Sequence, residues 1–333
     1  MSLPLSIPLR VKMFGLLLLA LGLISFLISL GVGSFSISWQ TLGSLLIQQD
    51  PSIERSVVME LRLPRALSAM VVGGQLALAG CLMQALLRNP LADPYVLGVS
   101  GGASVAALLA IMFGLGGFWV SGSALLGALL NMLVVFGLVQ RSGRWSSGRL
   151  LLTGIVIASG WGAMVSFLIA ISDGAELKGM LFWLMGDFSH SGYPGWNSAW
   201  LGLGLLLSMA AARPLNILVR GELQARALGV NPQPLQISLY LLTSLLTASA
   251  VTQAGSIGFI GLVVPHLVRI VIGSDHRWLL PCSVIAGAVL LLLADTLART
   301  LIAPQQLPVG VITALLGVPL FLILLNRDNR GSL

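Results

Sequence analysis

Charged side chains are scarce in this chain, and the few that interrupt its apolar stretches are the ones that could do chemistry. Arg62 and Arg65 stand close together in the run Glu60-Leu-Arg-Leu-Pro-Arg65, and Arg299 follows Asp295 by four residues. Clustered guanidinium groups suit the recognition of carboxylates, since the planar fork of arginine donates to both oxygens at once. Two plainer duties compete with that one. Arginines near a membrane surface can extend their heads to the lipid headgroups, and Arg299 can pair with Asp295 one helical turn earlier, in the favourable acid-before-base order. Asp295 is read near the middle of an apolar span, where an aspartate costs ~2.5 to 3.5 kcal/mol on insertion scales. It therefore needs a partner, such as Arg299, or a role in relaying a proton or substrate.

Two further patterns carry mechanical meaning. In the long polar segment 213–232, Glu222 to Leu228 holds good helix formers, with Gly221 before it, Gly229 placed to stop it and Pro232 shortly after. A short amphipathic helix held there between apolar spans is a lever for a soluble motor, and an ordinary interfacial loop is the plainer reading. Elsewhere, prolines and glycines break the apolar runs at Arg88-Asn-Pro-Leu-Ala-Asp-Pro94 and at Gln253-Ala-Gly-Ser-Ile-Gly-Phe-Ile-Gly261, followed by Pro265. Irregular backbone within a membrane is tolerated only against protein or a watery cavity, so broken segments in both halves point to a transport path. Kinked structural helices packed through small residues such as Gly98 and Gly102 are the alternative.

Nucleotide, metal and nucleophile chemistry find no pattern here. The two lysines, Lys12 and Lys178, belong to no Gly-x-x-x-x-Gly-Lys-Ser/Thr phosphate loop. His190, His266 and His276 lack the spacing of metal ligands, and no Ser-His-Asp or Cys-His arrangement stands out. No cofactor and no metal site are expected, and the chain is not expected to be an enzyme.

The elements that must position these residues follow from composition. With 333 residues, 56% of them hydrophobic and 9% charged, and a mean hydropathy of +0.97, the chain needs lipid as its solvent. A helix crossing a ~30 Å bilayer core takes ~20 apolar residues, and continuous rather than alternating apolar runs exclude a barrel. The expectation is an all-α polytopic membrane protein, one transmembrane domain over residues 1–333. Ten spans are expected at 13–32, 58–83, 92–113, 119–140, 150–172, 194–212, 235–252, 257–273, 280–298 and 308–326. The first is read as a retained span and not as a signal peptide. Cys81 and Cys282 sit in apolar runs as small buried hydrophobes.

Ten spans put both termini on one side. With the termini in the cytoplasm, thirteen of the eighteen basic residues fall inside, in keeping with the positive-inside bias. Arg55, Arg62, Arg65, Lys178 and Arg299 fall outside. The net charge of +7 is spread over short loops and forms no stripe suited to nucleic acid.

The ordered motifs resemble the FecCD family of permeases, which import iron-siderophores, haem and cobalamin. They are Leu61-Arg-Leu-Pro-Arg65, Gly80-x-x-x-Gln84, Asn89-Pro-Leu-Ala-Asp-Pro94, Leu97-Gly-Val-Ser-Gly-Gly-Ala103, Gly258-Phe-Ile-Gly-Leu-Val-Val-Pro-His266, Asp275-His-Arg277, Ala294-Asp-Thr-Leu-Ala-Arg299 and Leu307-Pro-Val-Gly310. The resemblance implies the type II ABC importer architecture of the bacterial inner membrane. A pair of permeases, expected here as a homodimer, would stand with two cytoplasmic ATPases and a periplasmic substrate-binding protein, and cargo would cross by alternating access. By the same resemblance, Arg62, Arg65 and Arg299 meet acidic residues of the binding protein. Gly221, Glu222, Ala225, Arg226, Leu228 and Gly229 belong to the helix that couples to the ATPase. Ser146, Ser147 and Gly148 lie at the cytoplasmic gate, with Asn89 and Leu91 at a second constriction. An iron chelate, siderophore before haem, is the expected cargo, with cobalamin as the alternative. An ion-driven secondary transporter is the reading from a different class, and Asp295 is its single candidate group.

Overall fold

In the computed structural model, residues 8–33, 37–38, 40, 43, 52–141, 146–189 and 191–331 are described, which leaves Arg144 and His190 outside the described residues. Thirteen helices organise them. Six are long and apolar enough to cross a membrane. These are α1 (Leu9–Gly31), α2 (Ile53–Leu87), α4 (Gly117–Arg141), α5 (Ser147–Ile171), α10 (Pro232–Ala254) and α12 (His276–Thr300). Three further apolar helices join them, α3 (Val99–Met112), α11 (Ile260–Ile272) and α13 (Val309–Gly331), the last apolar over Val309–Leu324. A further span is bent by 61° where α7 (Gly195–Ala210) passes into α8 (Ala212–Leu218). Each of the ten expected spans therefore has a helix, and no strand occurs among the described residues. The remaining two are α6 (Gly174–Met185) and the six-residue α9 (Glu222–Ala227). The segment 173–193, expected as a loop, thus contains a helix.

Alternating helices give the bundle two ends. The described chain starts and finishes at one, the terminal end, where Asn216 between α7 and α9 bonds Asp275 at the start of α12. At the other, the far end, Arg299 of α12 reaches Ser29 near the end of α1.

Helix α2 is the axis, packed by α12, α10, α11, α7 and α1, and its apolar window is 83% buried against 11% for α5. Lipid tails are as apolar as leucine, so helices in a membrane hold together through close packing and hydrogen bonds. That explains the small residues along this axis. A Cβ on Gly73 would run into the Gly287 carbonyl, and one on Gly287 into the Gly73 carbonyl, so α2 and α12 touch backbone to backbone. The apolar side chains of α5, including Leu152, Val156 and Phe167, remain exposed.

Candidate functional site

At the far end, Asp295 is fully buried and gathers two arginines from different helices. Arg65 of α2 donates Nε to both carboxylate oxygens at 3.0 and 3.1 Å and Nη2 to Oδ1 at 2.8 Å. Its Nη1 donates to Gln306 Oε1 at 2.8 Å. Arg299 lies 3.2 Å from Asp295 Oδ2 along the same helix and donates to the Ser29 hydroxyl at 2.9 Å. Arg62, which ends the π-helical stretch Val57–Arg62, donates to the carbonyls of Leu30 and Gly31 at the open end of α1. All three arginines are buried. The structure thus brings the three together, as their types suggested, but turns every fork inward onto chain atoms instead of leaving it outward-facing. Asp295 has the expected partner Arg299 and a closer one, Arg65, and it sits near the end of α12, not at mid-span.

The two broken segments meet. Residues 88–98 run from Arg88, in the left-handed region at φ 50°, through the 3-10 turn Pro94–Leu97 to Gly98. Residues 255–259 enter α11 through Phe259 at φ 70°. The Ile257 amide donates to the Tyr95 hydroxyl at 3.1 Å. Backbone released from helices is satisfied by side chains of neighbouring helices, as lipid demands. Asn131 of α4 donates to the Leu97 carbonyl at 2.9 Å, and Gln84 of α2 adds a bond to the Leu262 carbonyl in the first turn of α11 at 3.2 Å. Neither partner is visible from spacing alone, since contacts such as Tyr95 to Ile257 join residues far apart in the chain.

At the terminal end the segments around Ser147 and Asn89, expected at the gate, are neighbours. Ser147 donates to the Leu86 carbonyl at 2.9 Å, while Ser146 caps α5 through the Arg149 amide, just before Gly148. Asn89 accepts from the Leu91 amide at 2.9 Å. Helix α9 lies between Gly221 and Gly229, with φ of 121° and 79°. Ala225 is its buried face, and Leu223, Arg226 and Leu228 point away from the bundle. Glu222 ties it back, 3.6 Å from Arg88 and accepting from Gln236 of α10. Leu223 and Leu228 thus leave an exposed apolar surface on a helix tied to the end of α2.

This arrangement, with six long apolar helices, shorter ones beside them and two irregular segments that meet, has clear relatives. The FecCD transport family profile matches residues 19–327. The chain belongs to the FecCD transport family. It is 42% identical over 332 residues to the hemin transport system permease protein HmuU of Yersinia pestis, covering 96% of this chain and 97% of that one. The molybdate import system permease protein MolB of Haemophilus influenzae is 37% identical, with 96% and 97% covered. The vitamin B12 import system permease protein BtuC of Citrobacter koseri is 42% identical, with 82% and 84% covered. A solved structure described as an inward-facing conformation of a metal-chelate type ABC transporter superposes with a TM-score of 0.85 at 35% identity, over 95% of this chain and 99% of that one. This chain is accordingly a membrane-embedded permease of the ABC importer class, not itself catalytic. Membership of that class removes the ion-driven reading, and Asp295 is committed to two arginines.

Proposed function

We propose that this permease carries an iron chelate, a siderophore or haem, from the periplasm to the cytoplasm by alternating access. The observation that carries the reading is the end-to-end likeness to a hemin permease, supported by the likeness to a metal-chelate type transporter. Cobalamin is the second reading, supported by the equal identity to a vitamin B12 permease over a shorter stretch. The terminal end faces the cytoplasm in this scheme, as the positive-inside bias favours. Two copies form the path, with the exposed apolar face of α5 available to the second copy.

Helix α9, from Gly221 through Glu222, Ala225, Arg226 and Leu228 to Gly229, receives the push of the ATPase through exposed Leu223 and Leu228. Through Glu222 and Arg88 the push reaches Asn89 and Leu91, and through Leu86 and Ser147 the start of α5 with Ser146 and Gly148. At the far end, Arg62, Arg65 and Arg299 form the docking surface for acidic residues of a binding protein. Three guanidiniums against the carboxylates of Asp295 and Asp187 leave a surplus of positive charge there. A docking carboxylate would compete for forks now held inside.

The test is reconstitution in vesicles with an ATPase and a binding protein from the same source, with uptake of labelled ferric siderophores, hemin and cobalamin measured with and without ATP. ATP-dependent uptake of an iron chelate is expected. Uptake of cobalamin alone would move the cargo to the second reading, and no ATP-dependent uptake of any of the three would overturn the proposal.

A further inference from the structure

Beside the arginine cluster the far end opens into a cavity of about 1280 Å³, larger than the ~300 to 1,000 Å³ of common small-molecule sites. Three aromatic side chains, Phe118 of α4 and Phe182 and Trp183 of α6, give it apolar faces, and Gln253 and Gln306 supply amides. Its charged lining residues among those described are Lys178 and Asp187. They are not equivalent. Asp187 lies 3.9 Å from Arg65, so its charge is already answered. Lys178 is exposed, and its ammonium is 5.9 Å from the centroid of the Phe182 ring. Among the described residues it has no carboxylate within ion-pair distance.

The wall carrying Lys178 is fixed in place. After α6 the chain is stitched to α10 by the Asp187 amide on the Ala254 carbonyl at 2.9 Å, and to α13 by the Val309 amide on the Gly186 carbonyl at 3.0 Å. Gly255, at φ 69°, and Gly310 let these backbones touch, since a Cβ on either would run into the carbonyl of Trp183 or Met185. A site held in this way is preorganised, so little ordering free energy is lost when a ligand arrives.

We propose that this cavity is the cargo's first station in the permease, and that Lys178 determines specificity by binding a carboxylate on a chelate whose apolar face rests on the aromatic wall. The proposal rests on the iron-chelate reading above and narrows it to acidic chelates. A small oxyanion would leave the aromatic wall unused, and a bulky neutral cargo would leave the ammonium without a counter-charge.

The experiment compares the wild type, Lys178→Gln and Lys178→Arg in the reconstituted importer, with hemin, a ferric porphyrin bearing two carboxylates, as the probe. Uptake rate is followed against the concentration of hemin-loaded binding protein, and copurification with the ATPase controls for folding. Loss of a charge-assisted hydrogen bond is worth a change of about tenfold or more. The half-saturating concentration should therefore rise about tenfold in Lys178→Gln, with the maximal rate less affected, and return near the wild-type value in Lys178→Arg. Equal curves for wild type and Lys178→Gln would overturn the role of Lys178 while leaving the iron-chelate reading intact. Equal loss in both variants would assign Lys178 a structural role and overturn it too. A wild type that imports no iron chelate would overturn the iron-chelate reading and, with it, this one.

Discussion

Replacing Asp295 with asparagine keeps the shape of the side chain and removes the one carboxylate that both Arg65 and Arg299 face. At an effective dielectric constant of about 20, contacts of 2.8 and 3.2 Å correspond to roughly 6 and 5 kcal/mol of gross attraction. Desolvation offsets much of that, because Asp295 is fully buried and both arginines nearly so. The relevant quantity is the cost of leaving buried charges uncompensated, about 3 to 5 kcal/mol when one partner of such a pair is removed. Two guanidiniums would also then repel across the α2–α12 contact. Denaturant unfolding of the detergent-solubilised chain reads this directly, with Asp295→Asn, Arg65→Gln and the double variant closing a cycle. The single Asp295→Asn variant should lose about 3 kcal/mol or more, and the double variant should lose less than the sum of the two singles. Stability of Asp295→Asn within about 0.5 kcal/mol of wild type, the range of an ordinary surface change, would refute the view that this ion cluster holds α2 to α12.

Four further outcomes follow from the same geometry. Arg62→Gln, which retains a donor for the Leu30 carbonyl, should weaken capture of the binding protein several-fold at low salt and less at high salt; identical capture at both salts would count against docking at this cluster. Gly287→Leu forces a side chain against the Gly73 carbonyl and the Ala77 methyl group, and should cost about 1 to 3 kcal/mol or more, seen as a lower unfolding midpoint. Leu223→Asp, on a side chain 86% exposed, should leave the unfolding midpoint unchanged and abolish copurification with the ATPase. The Asp275 carboxyl is held down at about 2, first by its hydrogen bonds from Arg277. A depressed carboxyl stabilises the fold above its unfolded value near 4, so the difference between wild type and Asp275→Asn should be constant above about pH 4 and fade as pH falls toward 2.

The sequence determined the solvent, the apolar spans and the family. Continuous apolar runs of bilayer length leave no other backbone arrangement, so each expected span has its helix. Gly221 and Gly229 bound α9, and proline and glycine mark both broken segments, because those residues fix or free φ wherever they stand. Helix α6 was not legible, since residues 174–185 are too short and too mixed in polarity to separate from a loop. Tertiary structure decided which residues meet. Arg65 finds Asp295 across 230 positions, Tyr95 finds Ile257 across 162, and the arginines turn inward because buried chain oxygens and a buried carboxylate wait for them there. Spacing along one helix reveals only partners a turn away, such as Asp295 and Arg299. Partners on different helices are chosen by how the backbones approach, and here the close contact of Gly73 with Gly287 sets the separation at which α2 and α12 pack.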